Sequence, residues 1–300
     1  MRIAHLSDLH LLSLEGAVPF RLLNKRLTGY ANLRFYRKSV HRPFAAEAAA
    51  REIRRLEPDH VVITGDVSNL ALEVEFGLVR SFLDDTLGLP PDRVSLVPGN
   101  HDAYTMGSHR TQRFGRFFAP YLSSDLADIS SGTGFPYVRL RGPVAFVGLS
   151  TAVPRPPFVA SGTLGDVQLQ ALEKVLDNPE VRARTLVLLQ HHPWHNPPGF
   201  AKRLLEGLSD ATAEGLLLRR VERGLLLHGH LHRRIHRTLA TDRGHIDAIG
   251  ATSASLLHDS DERMAGFNLY EIREGQPISA TSHRLVLGGD TFRQVDIPRA

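Results

Sequence analysis

The chain contains no cysteine. That absence excludes disulfides and every thiolate metal site, so a bound metal must be held by His, Asp, Glu or Asn, a borderline-to-hard donor set. Long apolar runs are missing as well: nothing approaches the ~18 residues from which a membrane-spanning helix is built. The N-terminal stretch MRIAHLSDLH is interrupted by His5, Ser7 and Asp8, leaving no apolar core for a signal peptide. These absences lead to the expectation of a cytoplasmic protein. No internal repeat, low-complexity tract or linker divides the sequence. Between Gly16 and Ala46 there is no acidic residue at all.

What is present suffices for a large core: 300 residues, 42% hydrophobic and 23% charged, fit one large globular domain or two small ones. Without a linker the expectation is a single domain over 1–288 and a weakly specified tail over 289–300. The net charge of +4 favours anionic partners without choosing among nucleotides, phospholipids and nucleic acid. RIAHLSD, HVVITGD, VSLVPGN, VAFVGLS, TLVLLQHH and GLLLHGH are short apolar runs rich in β-branched residues and leucine and predict buried strands. Helical periodicity predicts helices over 43–57, 70–86 and 165–177, and another from Asp210, as N-cap, to Arg223. RIHRTLA, HIDAIGA, GFNLYEI and ATSHRLVL follow as successive strands. Strand alternating with helix, then strand upon strand, implies an α/β fold with mixed sheets.

Polar residues cluster at the ends of the apolar runs, where α/β sheets bind ligands. Asp8 and His10 stand two apart in SDLH, and Asp66 follows a glycine in TGD. PGNHD places Asn100, His101 and Asp102 in a turn, with Asp102 positioned to hold the His101 ring by its other nitrogen. QHHPW ends a very apolar strand in His191 and His192, one of which needs a partner if buried. HGHLH sets His228, His230 and His232 at alternate positions, which on extended backbone point the same way. An edge strand with solvent-facing histidines is the competing reading of that stretch.

In this order the motifs D-x-H, G-D, G-N-H-D, a histidine after a strand and G-H-x-H resemble those of the calcineurin-like metallophosphoesterases, above all the bacterial cyclic nucleotide and glycerophosphodiester phosphodiesterases. The likeness spans about residues 1–232. It implies a four-layer αββα sandwich with two mixed β-sheets, and two divalent metal ions (Mn, Fe or Zn). One ion would be held by Asp8, His10 and His232, the other by Asn100, His191 and His230, with Asp66 bridging. His191 is chosen by the family's H-x-P pattern, matched with Pro193, and His192 remains the fallback. The resemblance also implies hydrolysis of a phosphodiester, such as a cyclic nucleotide, by metal-activated water. His101 would protonate the leaving group or stabilise the transition state. Asn69 in GDVSN matches a residue that reaches toward the substrate phosphate, and His195 is a second candidate for the pocket. His5, His41, His60, His109, His236, His245, His258 and His283 are treated as structural, and His228 as a core residue or a neighbour of the ligands.

The acid-free stretch 16–46 combines Arg21, Lys25, Arg26, Arg34, Arg37, Lys38 and Arg42 with Phe20, Tyr30, Phe35, Tyr36 and Phe44. Following the first metal motif, it is expected to be an insertion that overhangs the site. It can cradle a polyphosphate, rest on an anionic membrane surface, or be a solvated face. Its composition is similar to the lipid-binding cap of the UDP-2,3-diacylglucosamine pyrophosphohydrolases, which supplies an alternative function at the membrane surface. A nuclease is a weaker alternative, since nucleic acid needs a long basic groove. The expected partner is a small anionic phosphoester, with peripheral membrane contact through 16–46 and a homo-oligomer left open.

Overall fold

The computed structural model describes residues 1–12, 41–129 and 133–300. The apolar runs form strands, with boundaries slightly inside those read from sequence: β1 (Arg2–Leu6), β2 (His60–Thr64), β3 (Val94–Val97), β5 (Val144–Gly148), β6 (Thr185–Leu189) and β7 (Arg223–His228). The later strands are β8 (Ile235–Ala240), β9 (His245–Gly250), β10 (Gly266–Glu271) and β11 (Ser279–Leu285). Two further strands complete the set, β4 (Tyr137–Arg141) and β12 (Phe292–Val295).

They make two six-stranded mixed sheets, ordered β12-β11-β10-β1-β2-β3 and β4-β5-β6-β7-β9-β8. In the first, β1, β2 and β3 are parallel and β10 to β12 antiparallel. In the second, β5, β6, β7 and β9 are parallel between antiparallel edges β4 and β8. Alternation within the second sheet shows how the layers stack. Phe146, Val187, Leu189, Leu225 and Leu227 join the large cluster that includes the first sheet. Their neighbours Ala145, Val147, Leu186, Leu188 and Leu226 pack instead with Leu172, Val175 and Leu176 of α5 (Asp166–Asp177). A strand covered on both faces reads as a continuous apolar run, which is why these segments stand out in the sequence.

Helix α1 (Pro43–Leu56) starts with proline in its first turn and buries an alanine-rich face, Ala45, Ala46, Ala48, Ala49, Ala50 and Ile53. Helix α2 (Glu73–Ser81) follows Leu72, which has no polar side chain to cap it; the Glu75 carboxylate accepts from the backbone N–H groups of Leu70 and Leu72 instead. A π-helical turn over Phe82–Leu87 continues it. Helices α3 (Met106–Arg110) and α4 (Arg113–Phe118) follow the PGNHD turn; their glycines and clustered phenylalanines lack a clear helical period. Between β5 and β7 lie α5, the single turn α6 (Pro179–Arg182), α7 (Phe200–Glu206) and α8 (Ala211–Leu218).

Two sequence expectations need correction, and one strand left no signal in the sequence. The helix expected from Asp210 to Arg223 ends at Leu218, and the Asp210 carboxylate accepts from Leu164 N, Gly165 N and Thr163 Oγ1 near the start of α5 instead of capping its own helix. Strand β4 was hidden by the fully buried Arg139, whose guanidinium donates to the carbonyls of Pro91, Val94, Pro120 and Ser123. A charged residue at an interior strand position breaks the apolar pattern. Finally, within the stretch expected to be a tail, Phe292–Val295 is an edge strand paired with β11. Residues 16–40 of the expected basic insertion lie outside the described residues.

Candidate metal centre

Parallel registers bring the carboxyl ends of β1, β2 and β3 together in one sheet, and those of β6 and β7 in the other. The turns beyond them are unusual in backbone conformation. Asp8, His10, Asp66, His230 and His232 all have positive φ, between 47° and 67°. Left-handed backbone is unfavourable for residues with a Cβ, and five such residues at one place mark strain concentrated at a site. The same observation replaces the extended geometry expected for HGHLH. His228 ends β7, and His230 and His232 are brought to one side by a left-handed turn, not by strand alternation.

Two motif glycines explain how the turns can meet. A Cβ on Gly99 would lie 2.2 Å from Asp66 Oδ1, and one on Gly229 would lie 1.9 Å from Ser7 Oγ and 2.4 Å from Asp8 Oδ2. Only a residue without a side chain fits at either position.

The first donor cluster contains Asp8, His10 and His232. His10 Nε2 and His232 Nε2 are 3.2 Å apart, and Asp8 Oδ1 lies 3.0 Å from His232 Nε2 and 3.9 Å from His10 Nε2. Despite this proximity Asp8 Oδ1 is buried and accepts no hydrogen bond among the described residues. Its partner oxygen Oδ2 accepts from Ser7 Oγ at 2.6 Å and from His230 N at 3.2 Å. The carboxylate is thus anchored by one oxygen while the other faces imidazole nitrogens without aligned protons, as donor atoms do around a shared cation.

The second cluster contains Asn100, His191 and His230. Asn100 Oδ1 lies 3.1 Å from His191 Nε2 and 3.2 Å from His230 Nδ1. The outer ring nitrogens are tied to carbonyls: His191 Nδ1 donates to Thr64 O at 2.7 Å and His230 Nε2 to Glu206 O at 3.0 Å. Those bonds fix the tautomers that leave a lone pair facing inward, the arrangement typical of metal-ligating imidazoles. Asp66 joins the clusters, since its carboxylate, that of Asp8 and the His191 ring each place a donor atom within 4.8 Å of the other two. Its Oδ2 is 3.4 Å from His191 Nε2. The residues present therefore fit a pair of cations.

The electrostatics agree. Burial disfavours charge on Asp8 and Asp66, yet both carboxyl groups are held below the ordinary carboxylate range, Asp8 chiefly by His232 and Asp66 chiefly by His191. Burial likewise disfavours charge on His191, but Asp66 and Asp8 outweigh it and raise the imidazole to about 9. Beside it His230 is lowered to about 4, first by burial and then by His191. The cage favours positive charge at its centre.

His101 lies next to the first cluster, its ring centroid 5.2 Å from that of His10 and stacked on Tyr104 at 5.5 Å. Its expected link to Asp102 is not formed. His101 Nδ1 donates to Asn69 O at 2.7 Å, whereas the Asp102 carboxylate accepts from Gly99 N, Val67 N, Ser68 N and Ser68 Oγ. Asp102 ties the PGNHD turn to the TGD turn. Asn69 is buried and its Nδ2 donates to His10 O at 2.8 Å, so its amide braces the first motif. His195 packs against His228 with centroids 5.5 Å apart. The fallback ligand His192 is engaged at both nitrogens, with Thr151 Oγ1 at 2.8 Å and Ala160 O at 2.7 Å. Ser7, which anchors Asp8, directly precedes it in the motif, and Tyr104 stands three residues after His101; adjacency to a motif residue is the signal the sequence carries for both.

The fold resembles that of solved phosphatases. One is a dimetal phosphatase from Danio rerio, with a TM-score of 0.58 at 16% identity over 99% of each chain. Another is the purple acid phosphatase PPD1 from yellow lupin (Lupinus luteus) seeds, with a TM-score of 0.57 at 11% identity, covering 95% of this chain but 51% of that one. No curated protein matches the chain by sequence. Two mixed sheets with a histidine and carboxylate cage at their strand ends define the class as metallophosphoesterase. The family profile settles the membership: residues 1–234 match the calcineurin-like phosphoesterases, and the chain belongs to that family.

Proposed function

We propose that the protein is a dinuclear metal-dependent phosphodiesterase acting on a small anionic ester. The observation that carries this reading is the position of Asp66, which places one carboxylate between a cluster of Asp8, His10 and His232 and a cluster of Asn100, His191 and His230. A pair of divalent ions held there would lower the pKa of an attacking water and neutralise the phosphoryl oxygens. The chain's own groups do the rest. His101, oriented through Asn69 O and stacked on Tyr104, is placed to deliver a proton to the departing alkoxide. Asp102 and Asn69 hold the turns in position. Tyr104 also opens onto a cleft of about 580 Å³ lined by Met106, Arg113, Pro154, Arg155 and Pro156, where an organic group on phosphorus has apolar surface available. Room for such a group supports a diester over a bare monoester.

The test is hydrolysis of bis(p-nitrophenyl) phosphate and p-nitrophenyl phosphate by protein reconstituted with Mn²⁺. Preferential turnover of the diester is expected. Protein that holds two metals per chain and turns over neither ester would sink the proposal.

A further inference from the structure

We infer that His41 is an additional protein ligand of the first metal position, so that the two halves of the centre are unequal. The inference rests on the dinuclear reading above. His10, His41 and His232 each place a ring nitrogen within 4.8 Å of the others. The His41 ring meets that of His10 edge-on at 4.7 Å between centroids and that of His232 at 5.6 Å. No histidine at this position belongs to the motifs D-x-H, G-D, G-N-H-D, H-x-P or G-H-x-H. It stands instead two residues ahead of α1, at the far end of the basic segment.

The position is built, not incidental. His41 pairs in an isolated antiparallel bridge with Leu256, and Arg42 N donates to Ser255 O at 2.8 Å. The same short segment holds the first motif, because Ser253 Oγ donates to Asp8 O at 2.6 Å and Ala254 N to Ser7 O at 2.9 Å. Residues 253–256 therefore fix Asp8 and His41 relative to one another. His41 Nδ1 lies 2.8 Å from Ser255 Oγ. That contact holds the His41 ring in place beside His10 and His232.

Among the described residues His41 would give the first position three imidazoles beside the Asp8 carboxylate. The second has two imidazoles and the Asn100 amide oxygen. More donors and more nitrogen on one side mean that this side binds first and favours the later first-row divalent ions, while open coordination is concentrated on the other.

Calorimetric titration of metal-free protein with Mn²⁺ tests this, with metal content per chain measured separately. The wild type is expected to show a tight and a weak step. His41→Ala should weaken the tight step at least about tenfold and leave the weak one within about twofold, while Ser255→Ala weakens the tight step less. Reconstitution with Co²⁺ gives a second readout, since losing a nitrogen ligand changes the visible absorption of the first ion bound. Thermal unfolding in EDTA checks folding, and His41→Gln replaces the alanine variant if that one is unstable. Unchanged binding steps and an unchanged Co²⁺ spectrum would overturn the inference. So would unchanged metal binding with a raised KM, which would place His41 on the substrate. Wild-type protein that takes up no Mn²⁺ would remove the dinuclear reading itself, an outcome separate from the behaviour of the His41 variants.

Discussion

Asp66 and His101 answer different chemical needs, and their substitution should separate them. Asp66 is the carboxylate shared by both donor clusters, so Asp66→Asn removes the charge that offsets two cations at once. Metal analysis should show less than two ions per chain, and kcat for bis(p-nitrophenyl) phosphate should fall on the order of 10³-fold or more. His101 sits beside the cage without belonging to either donor group. His101→Ala should keep both metals and lose about 10²- to 10⁴-fold in kcat with an alkoxide leaving group. With p-nitrophenolate, which departs without a proton, the loss should be much smaller. An equal loss with both leaving groups would show that His101 does not act as an acid.

Turns and helices transmit constraints that no single side chain reveals. The turn after β7 touches the turn after β1 through Gly229, and a methyl group there would fall inside Ser7 and Asp8. Gly229→Ala should lower unfolding stability by about 1–3 kcal/mol and cost metal affinity as well, read by denaturant unfolding and metal titration. Helix α8 carries a second strained group. Its Glu214 is fully buried, and burial raises the carboxyl to about 8, with Asp210 adding to the shift and the hydrogen bond from Gln190 opposing it. The folded pKa lies above the unfolded value of 4.5, so the folded state binds the proton more tightly. That contribution to stability is complete below pH 4.5 and is lost as pH rises to about 8. Unfolding free energy in EDTA should therefore decline across this window. Glu214→Gln should flatten the decline and be the more stable form at pH 8; a parallel pH profile would refute the assignment.

For the molecule as a whole, the centre joins the two sheets: Asp8, His10, Asp66 and Asn100 follow strands of one, and His191, His230 and His232 follow strands of the other. Metal binding should then stabilise the entire domain. At a free concentration 100 times its dissociation constant, one ion adds about 2.7 kcal/mol, which in a chain of this size raises Tm by roughly 5 °C. Scanning calorimetry with and without EDTA measures this, and an unchanged Tm would mean that the donors do not close around an ion. Among the described residues no helix is long and apolar enough to cross a membrane.

Much of this architecture was legible because it is local. Each apolar run is a strand buried on both faces, each donor directly follows such a run, and a glycine beside a donor signals close backbone approach. Those facts depend on neighbours within a few positions, so the amino-acid order by itself determined the mixed α/β fold, while the candidate ligands were named through the likeness of their ordered motifs to the calcineurin-like phosphoesterases. Partnership across long separations was different. That His192 is occupied by Thr151 and Ala160 while His191 faces Asn100, that Asp102 braces a turn instead of a ring, and that His41 joins His10 and His232 were decided only when the sheets packed. The physical reason is that a hydrogen bond or a coordination sphere depends on distances of a few ångströms between residues as far as 222 positions apart, and sequence spacing carries no record of those distances.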